Sequence, residues 1–258
     1  MEKMSKTGVF SMKYLLDTTN TIPEGVGFPL FGAVHLIWLG LCLAFVVGSC
    51  MVYRNLRSTQ REKMRIIFAV ALVADELFKY AILTVGHHWL PEYLPFHLCS
   101  VNIFLIALHC IRPTRLTDNF LYTVCIPGAL SALLFPNWTP LPFPNLMHIH
   151  SFTVHALLVA YPVMLTFAGE IRPSGRYVPK CLLLMAVLGI PGMICNLFLD
   201  TNFMFLMYAA PGNPLYIFEQ MWGNHLLGLP VLIAAVVLVM HGPRLLFREV
   251  NQRRHSIY

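Results

Sequence analysis

Two residues whose side chains can carry out acyl transfer, Cys99 and His155, lie inside apolar stretches of the sequence. A cysteine thiolate is a strong nucleophile, and a nearby imidazole can take the thiol proton. At a helical rise of about 1.5 Å per residue, the two lie roughly 6 and 9 Å inside the same boundary of their stretches. We therefore predict that Cys99 and His155 form a nucleophile–base pair between two helices. Alternatively, Cys99 is a small buried apolar residue, which is the usual role of a cysteine in a membrane helix.

Polar residues near this pair are candidates for supporting roles. His97 lies two residues before Cys99 and faces another side of the helix, so we predict it at the rim of the site at most. Asn102 lies one turn after Cys99 on the same face. Glu76 and Lys79 have i, i+3 spacing, which predicts a buried ion pair. That pair either fixes helix packing or supplies charge to the site.

Further polar residues stand at the ends of two later apolar stretches, where a polar chamber would open. There they could donate hydrogen bonds to an oxyanion, orient the histidine base or line the mouth of the chamber. The candidates are Asn196, Asp200, Asn202, Asn224 and His225.

A metal site is a second hypothesis for the same region. Imidazole and carboxylate groups are ligands that zinc prefers, and His97, His148, His150 and Asp200 form a candidate set. The spacing between His148 and His150 places their rings on different faces of a helix. Interfacial histidines that reach toward water are therefore the alternative interpretation. The acyl-transfer hypothesis itself requires no cofactor.

The elements that position these residues follow from the composition. Of the 258 residues, 57% are hydrophobic and 12% are charged, whereas ordinary soluble domains carry about 25% charged residues. This predicts an all-α, polytopic membrane helical bundle, since a spanning helix needs about 20 apolar residues. The seven cysteines include no CxxC pair, so neither a disulfide framework nor a zinc ribbon is indicated. Seven apolar stretches are predicted as transmembrane helices: 30–52, 66–86, 95–111, 119–136, 149–168, 180–199 and 223–242.

The basic residues predict how these helices are oriented. Fourteen of the 18 Lys and Arg residues lie in four alternate segments, whereas the loops 87–94, 137–148 and 200–222 contain none. Under the positive-inside rule, the N-terminus is then outside and the C-terminus cytoplasmic. The net charge of +6 is thus a topology signal and does not indicate nucleic-acid binding. The predicted parts are an extracytoplasmic segment 1–27, a seven-helix membrane domain 28–243 and a basic cytoplasmic tail 244–258.

Histidines concentrate on one side of the predicted membrane. Eight of the 11 lie at or near the outer ends of the helices, and polar groups at membrane depth usually face a bundle interior or a wet cavity. We therefore predict a polar chamber that opens outward. Trp138, in the proline-rich outer loop PNWTPLPFPN, suits a position in the membrane interface.

Three stretches of the chain resemble the YwaF-type integral membrane proteins of bacteria over about residues 28–242. They are LPFHLCSVNIFLIAL, HALLVAYPVMLTFAGEIRP and NLFLDTNFMFLMYAAPGNPL. That family is similar to a vertebrate multi-pass acyltransferase that moves polyunsaturated acyl chains between phospholipids to make ether lipids. The resemblance implies a Cys99 nucleophile and a His155 base, because the vertebrate protein has a cysteine near the start of the equivalent helix and a histidine seven residues before a helix proline, as His155 precedes Pro162. It departs at Ser100, where the vertebrate protein has a histidine.

These observations favour an integral membrane lipid acyltransferase or transacylase, located in the cytoplasmic membrane if the protein is bacterial. Its partners would be membrane lipids, with a phospholipid as acyl donor and a second lipid as acceptor. Two alternatives stay open: a metal-dependent membrane hydrolase, and a non-enzymatic transporter or receptor with an outward-facing cavity. A retinal protein is not indicated, because the seventh stretch lacks a lysine. A G-protein-coupled receptor is not indicated either, because DRY and NPxxY are missing.

Overall fold

The structure of the protein, a computed structural model, describes residues 12–209 and 214–255, and in that part of the chain the secondary structure is entirely helical. Residues 1–11 of the predicted N-terminal segment and 256–258 of the predicted tail lie outside the described residues. Five short 3-10 turns supplement the α-helices, at Met12–Tyr14, Pro91–Tyr93, Gly175–Tyr177, Phe203–Phe205 and His225–Gly228. The α-helices are α1 Ala33–Asn55, α2 Ser58–Val85, α3 Leu98–Ile111, α4 Arg115–Phe120, α5 Ile126–Leu134, α6 Leu146–Phe167, α7 Val178–Leu199, α8 Leu215–Trp222 and α9 Leu229–His255.

Among the described residues, five helical segments are long and apolar enough to cross a membrane. The prediction of an all-α protein with several apolar helices is therefore confirmed for the described residues. The other two predicted stretches, 66–86 and 119–136, are also helical. The first lies in α2, which carries charged residues along its length, and the second is divided between α4 and α5. The five segments are Ala33–Asn55, Pro91–Ile111, Leu146–Phe167, Gly175–Leu199 and His225–Gly242.

Helix α6 lies at the centre of the bundle and contacts α1, α2, α3 and α5. In the most apolar stretch of α6, 67% of the residues are buried, whereas in that of α7 only 11% are buried. Ala156 and Ala160 are among its buried residues, and small side chains let helices approach closely in membrane bundles. A side chain on α6 is therefore in a position to meet groups from several neighbouring helices.

The fourth predicted stretch contains a local distortion at residues Leu121–Cys125, which are π-helical. Pro127 lies two residues after this segment, and a proline lacks the backbone N–H and clashes with the carbonyl four residues earlier. A single widened turn accommodates this clash; π-helices are rare and occur mostly as such single turns inside α-helices. The thiol of Cys125, the last residue of the widened turn, contacts the Leu158 carbonyl of α6 at 3.5 Å.

The bundle has two chemically different ends. At the basic end, α1 ends and α2 begins, and Arg61 forms an ion pair with Glu170 at 3.1 Å. The hydroxyl of Tyr53 donates to the same carboxylate at 2.8 Å. At the opposite end, here called the histidine end, α3 begins after His97 and the first turn of α6 contains His148. The candidate residues for chemistry therefore lie toward the histidine end.

The N-terminal segment and the loop before α6 close the histidine end together. The Asn145 side-chain amide donates to the carbonyls of Tyr14 and Asp17 at 2.6 and 2.8 Å. The backbone N–H of Phe28 donates to the Thr139 carbonyl at 2.9 Å. These bonds hold the proline-rich loop against the ends of the helices.

Candidate functional site

Two consecutive carboxylates on α2 face different neighbours in the bundle. Glu76 Oε1 accepts a hydrogen bond from Lys79 Nζ at 2.5 Å and another from the Ser100 hydroxyl at 3.1 Å. The Glu76 and Lys79 side chains are only 8% and 10% exposed, so the predicted buried ion pair is confirmed. Ser100 adjoins Cys99, and both charges of the pair are close enough to act electrostatically on the Cys99 thiol.

The other carboxylate, Asp75, faces α6. Its Oδ1 accepts from the Thr153 hydroxyl at 3.0 Å. Its Oδ2 lies 3.1 Å from His150 Nδ1, yet the two atoms are not aligned for a hydrogen bond, and each is buried without another partner. Asp75 therefore joins α2 to α6 and leaves two polar atoms with unused hydrogen-bonding capacity.

The ring of His155 is held in one orientation. Its Nδ1 lies 2.7 Å from the Ser151 carbonyl, and because a carbonyl oxygen only accepts, Nδ1 carries the proton. The neutral ring then has its lone pair on Nε2, which is the nitrogen that can act as a base. Trp138 stacks on the ring with centroids 5.2 Å apart and planes inclined by 16°. His155 is therefore both buried and fixed in one tautomer.

Trp138 is 5% exposed and packs edge-on against Phe152 of α6 as well as face-on against His155. The proline-rich loop folds back over the helix ends, so protein encloses the indole. The interfacial position of Trp138 stays a prediction.

Cys99 and His155 belong to adjoining groups of residues. No hydrogen bond links the Cys99 thiol to the His155 ring in the part of the chain that the structure describes. Helices α3 and α6, which carry Cys99 and His155, are in contact with each other. Hydrogen bonds between catalytic groups are often long before substrate binds and shorten in the complex.

Among the described residues, two buried polar atoms near Cys99 make no well-aligned hydrogen bond: Asn102 Oδ1 and the Tyr80 hydroxyl, which lies beside the Glu76 carboxylate. Asn102 is 2% exposed. The Tyr80 ring stacks on Trp89 with centroids 5.3 Å apart, and Lys79 Nζ lies 4.6 Å from the Tyr80 ring centroid. Buried polar groups without partners are rare in folded proteins, so each is a candidate to contact a substrate.

The amide of Asn196 is used by the backbone turn that follows α7. Its Oδ1 accepts from the Phe203 N–H at 2.6 Å and from the Thr201 hydroxyl at 2.9 Å. Its Nδ2 donates to the Phe203 carbonyl at 3.2 Å. With these bonds made, Asn196 stabilises the turn, and its predicted role at an oxyanion stays a prediction.

The other predicted residues at these helix ends have similar local bonds. Asn202 Oδ1 accepts from the N–H of Met207 at 3.0 Å, and Asn224 Oδ1 accepts from Leu226 N–H at 2.9 Å. His225 Nε2 donates to a backbone carbonyl at 2.7 Å. Asp200 ends α7 with a left-handed backbone and is exposed.

The four candidate metal ligands are separated in the structure. His97 packs against the Phe203 ring at 5.0 Å, and His148 is fully buried with Nδ1 bonded to the Leu141 carbonyl at 2.9 Å. His150 faces Asp75 instead. Within residues 12–209 and 214–255, no group of three or more His, Cys, Asp or Glu side chains is arranged to hold a metal ion.

Two surface depressions lie at the histidine end. One is bordered by Asp17 and His88, and the other by Phe28. Neither is bordered by Cys99 or His155. The outward-opening chamber therefore stays a prediction.

The sequence was compared with known protein families, curated proteins and solved structures. The model of the TMEM164 family matches residues 30–241. The chain belongs to the TMEM164 family. Together with the apolar helices, membership of the TMEM164 family identifies an integral multi-pass membrane protein. No curated protein and no solved structure matches the chain.

The part that matches the TMEM164 family includes Cys99, His155 and their neighbours on α2, α3 and α6. Sequence reasoning missed Ser100, Tyr80 and Trp138 as neighbours of the candidate pair. Ser100 and Tyr80 each lie one position from a residue that was singled out, so a closer reading of those helical turns could have found them. Trp138 gave no such signal, because its position depends on how a loop folds.

Proposed function

We propose that this TMEM164-family protein is an integral membrane lipid acyltransferase or transacylase, with Cys99 as nucleophile and His155 as general base. The observation that carries the proposal is the state of the His155 ring. The Ser151 carbonyl accepts a hydrogen bond from Nδ1–H and Trp138 stacks on the ring, so Nε2 is available as a base inside the bundle. Similarity of the sequence to YwaF-type proteins and to the vertebrate ether-lipid acyltransferase supports the same two residues.

The reaction proceeds through a thioester. Cys99 Sγ attacks the ester carbonyl of a phospholipid while its proton passes to His155 Nε2. The carbon–oxygen bond of the ester then breaks, and the protonated imidazole gives that proton to the leaving lysophospholipid oxygen. An acceptor hydroxyl attacks the thioester, His155 takes its proton, and the released thiolate receives that proton back. Atoms and charges balance over the two steps, and the chemistry needs no soluble cofactor.

Two groups are suited to stabilise the oxyanion formed in each step. The Tyr80 hydroxyl is a buried donor beside the Glu76 carboxylate, and donors directed at a developing oxyanion are among the strongest catalytic contributors. Asn102 lies on the Cys99 face of α3, and its Nδ2 amide group is the one that could donate to the oxyanion, because Oδ1 only accepts. The Glu76 carboxylate, in its pair with Lys79, completes the charge environment of the thiol.

We place seven membrane-spanning helices in this protein, with the histidine end outward and the C-terminus cytoplasmic. Support comes from the helical character of all seven apolar stretches and from basic loops confined to the opposite end. The acyl chains of the substrates would lie among the apolar helix surfaces, as they do in the surrounding bilayer.

Acyl-protein formation tests this function. The purified full chain is incubated with phosphatidylcholine carrying a labelled acyl chain, and hydroxylamine-labile label is measured on the Cys99 peptide. We expect Cys99→Ser to lose that label and His155→Gln to slow its formation by about 10²–10⁴-fold, the usual contribution of a general base. Cys195→Ser is the matched control, since Cys195 is also partly buried. Full lipid transfer by Cys99→Ala would refute the proposal.

A further inference from the structure

Four side chains form a continuous hydrogen-bonded chain toward the basic end, far from the residues of the proposed site. Asp118 Oδ1 lies 2.9 Å from His109 Nε2, and His109 Nδ1 lies 2.9 Å from the Tyr161 hydroxyl. The Tyr161 hydroxyl lies 3.1 Å from Cys110 Sγ. The Cys110 thiol also reaches the Arg65 carbonyl, at 3.4 Å. This chain brings together α2, α3, α4 and α6.

The chemistry of the partners sets the direction of the protons. An ionised carboxylate only accepts, so His109 donates its Nε2 proton to Asp118 and its Nδ1 accepts from the Tyr161 hydroxyl. The single Cys110 S–H then lies between two acceptors, the Tyr161 oxygen and the Arg65 carbonyl. A histidine that is oriented by a carboxylate and bonded to a hydroxyl is the arrangement that activates nucleophiles in many enzymes. Here the hydroxyl leads on to a thiol.

The hydrogen-bonded side chains differ in burial, and a reactive thiol must be more accessible than its base. Tyr161 is fully buried and His109 is 2% exposed, whereas Cys110 is only partly buried. The base is thus sheltered while the thiol stays accessible.

Cys110 is separate from the proposed nucleophile Cys99. The two share one face of α3, at spacing i and i+11, with the buried residues Ile103 and Ile106 between them. At about 1.5 Å per residue, their backbone positions are roughly 16 Å apart along the helix. Helix α3 therefore carries a thiol near each end of one face.

We propose that Cys110 is a second nucleophilic thiol, which accepts a fatty acyl group as a thioester. In the step, Cys110 Sγ forms a bond to the acyl carbonyl carbon. Its proton moves to the Tyr161 oxygen while the Tyr161 proton moves to His109 Nδ1. The bond from the acyl carbon to its oxygen or sulfur leaving group then breaks. The leaving group receives a proton from the Tyr161 hydroxyl, and His109 Nδ1 returns its proton to the Tyr161 oxygen.

The surroundings of Cys110 fit a long acyl chain. Ile111, the next residue, is 83% exposed, and Leu108 is 50% exposed. An acyl chain attached to Cys110 would therefore lie against an apolar helix surface at the end of α3. The same acyl chemistry is carried by phospholipid esters and by soluble acyl thioesters, so both sources are compared in the test.

The test uses the full-length Cys99→Ser protein, so that any label at Cys110 is independent of the proposed site. One arm supplies phosphatidylcholine vesicles with a labelled acyl chain, and the other supplies palmitoyl-coenzyme A. Hydroxylamine-labile label is measured on the peptides that contain Cys110 and Cys195, since both thiols are partly buried. We expect Cys110 to be labelled at least about tenfold faster than Cys195 in one arm, because general-base assistance contributes a factor of this size or more.

Tyr161→Phe separates proton transfer from packing, because it removes the hydroxyl and keeps the ring. We expect this variant to reduce the labelling rate of Cys110 to that of Cys195 and to shift the pH profile of Cys110 alkylation by iodoacetamide toward that of Cys195. The thermal unfolding temperature of each variant reports whether the bundle is intact. Equal labelling of Cys110 and Cys195 in both arms overturns the proposal, and so does an unchanged Cys110 rate in folded Tyr161→Phe protein.

Discussion

The indole of Trp138 lies nearly parallel to the imidazole of His155, with ring centroids 5.2 Å apart. Trp138 belongs to the loop before α6, whereas His155 lies within α6. The same loop is held by the backbone bond between Phe28 and Thr139. The orientation of the proposed base therefore depends on a loop that the N-terminal segment keeps in place.

Replacement of the stacked indole tests this dependence. We expect Trp138→Leu to slow formation of the Cys99 thioester by about tenfold or more, because loss of orientation in a catalytic group has effects of this order. The stacking geometry is what matters, so Trp138→Phe should retain most of the rate. The measurement is single-turnover acylation from labelled phospholipid. A Trp138→Leu rate equal to that of the unchanged protein would show that the stack does not position His155.

Two buried asparagines distinguish a role in the reaction from a role in folding. Asn196 makes three hydrogen bonds to its own turn, and we expect Asn196→Ala to lower the free energy of unfolding by about 1–3 kcal/mol, since buried partners lose their bonds. Asn102 Oδ1 makes no hydrogen bond with the described residues, so Asn102→Ala strands no partner of that atom. Its main effect should be slower acyl transfer. Thermal unfolding and transfer rates are measured for both variants. A stable but inactive Asn196→Ala protein would contradict this assignment.

The buried pair of Glu76 and Lys79 should show strong coupling. Removal of one partner leaves an uncompensated charge inside the bundle, so Glu76→Leu or Lys79→Leu alone should destabilise the protein by about 3–5 kcal/mol. The double Leu variant should recover much of that stability. A double-mutant cycle in detergent, followed by thermal unfolding, measures the coupling. Additive effects of the two single changes would show that the contact contributes little.

The sequence was sufficient to predict features that depend on residues close together in the chain. The apolar stretch 149–168 coincides with α6 within a few residues, because the length of a membrane helix follows from bilayer thickness. The i, i+3 spacing of Glu76 and Lys79 likewise predicts their ion pair, since helical geometry alone brings them together.

Features that depend on the path of a loop or turn between helices could not be predicted from local spacing. Asn196 and Asn202 were predicted to face the chamber because they are polar residues at helix ends. Such residues can also form hydrogen bonds with the backbone of their own turn. The choice between the two depends on the path taken after α7. The position of Trp138 depends on contacts with the N-terminal segment, which no local spacing reveals.

A pair of tyrosines provides the last prediction. The Tyr80 hydroxyl is buried beside the Glu76 carboxylate without a well-aligned hydrogen bond to it, so Tyr80→Phe should change the unfolding temperature only slightly. If the hydroxyl donates to the oxyanion, its removal should slow thioester formation by about 10²–10³-fold, as loss of one such donor does elsewhere. Tyr122→Phe is the matched control, because the Tyr122 hydroxyl donates to the Met240 carbonyl at 2.6 Å. That change should lower stability and leave the rate per folded molecule intact. Equal rates for folded Tyr80→Phe and unchanged protein would remove Tyr80 from the reaction.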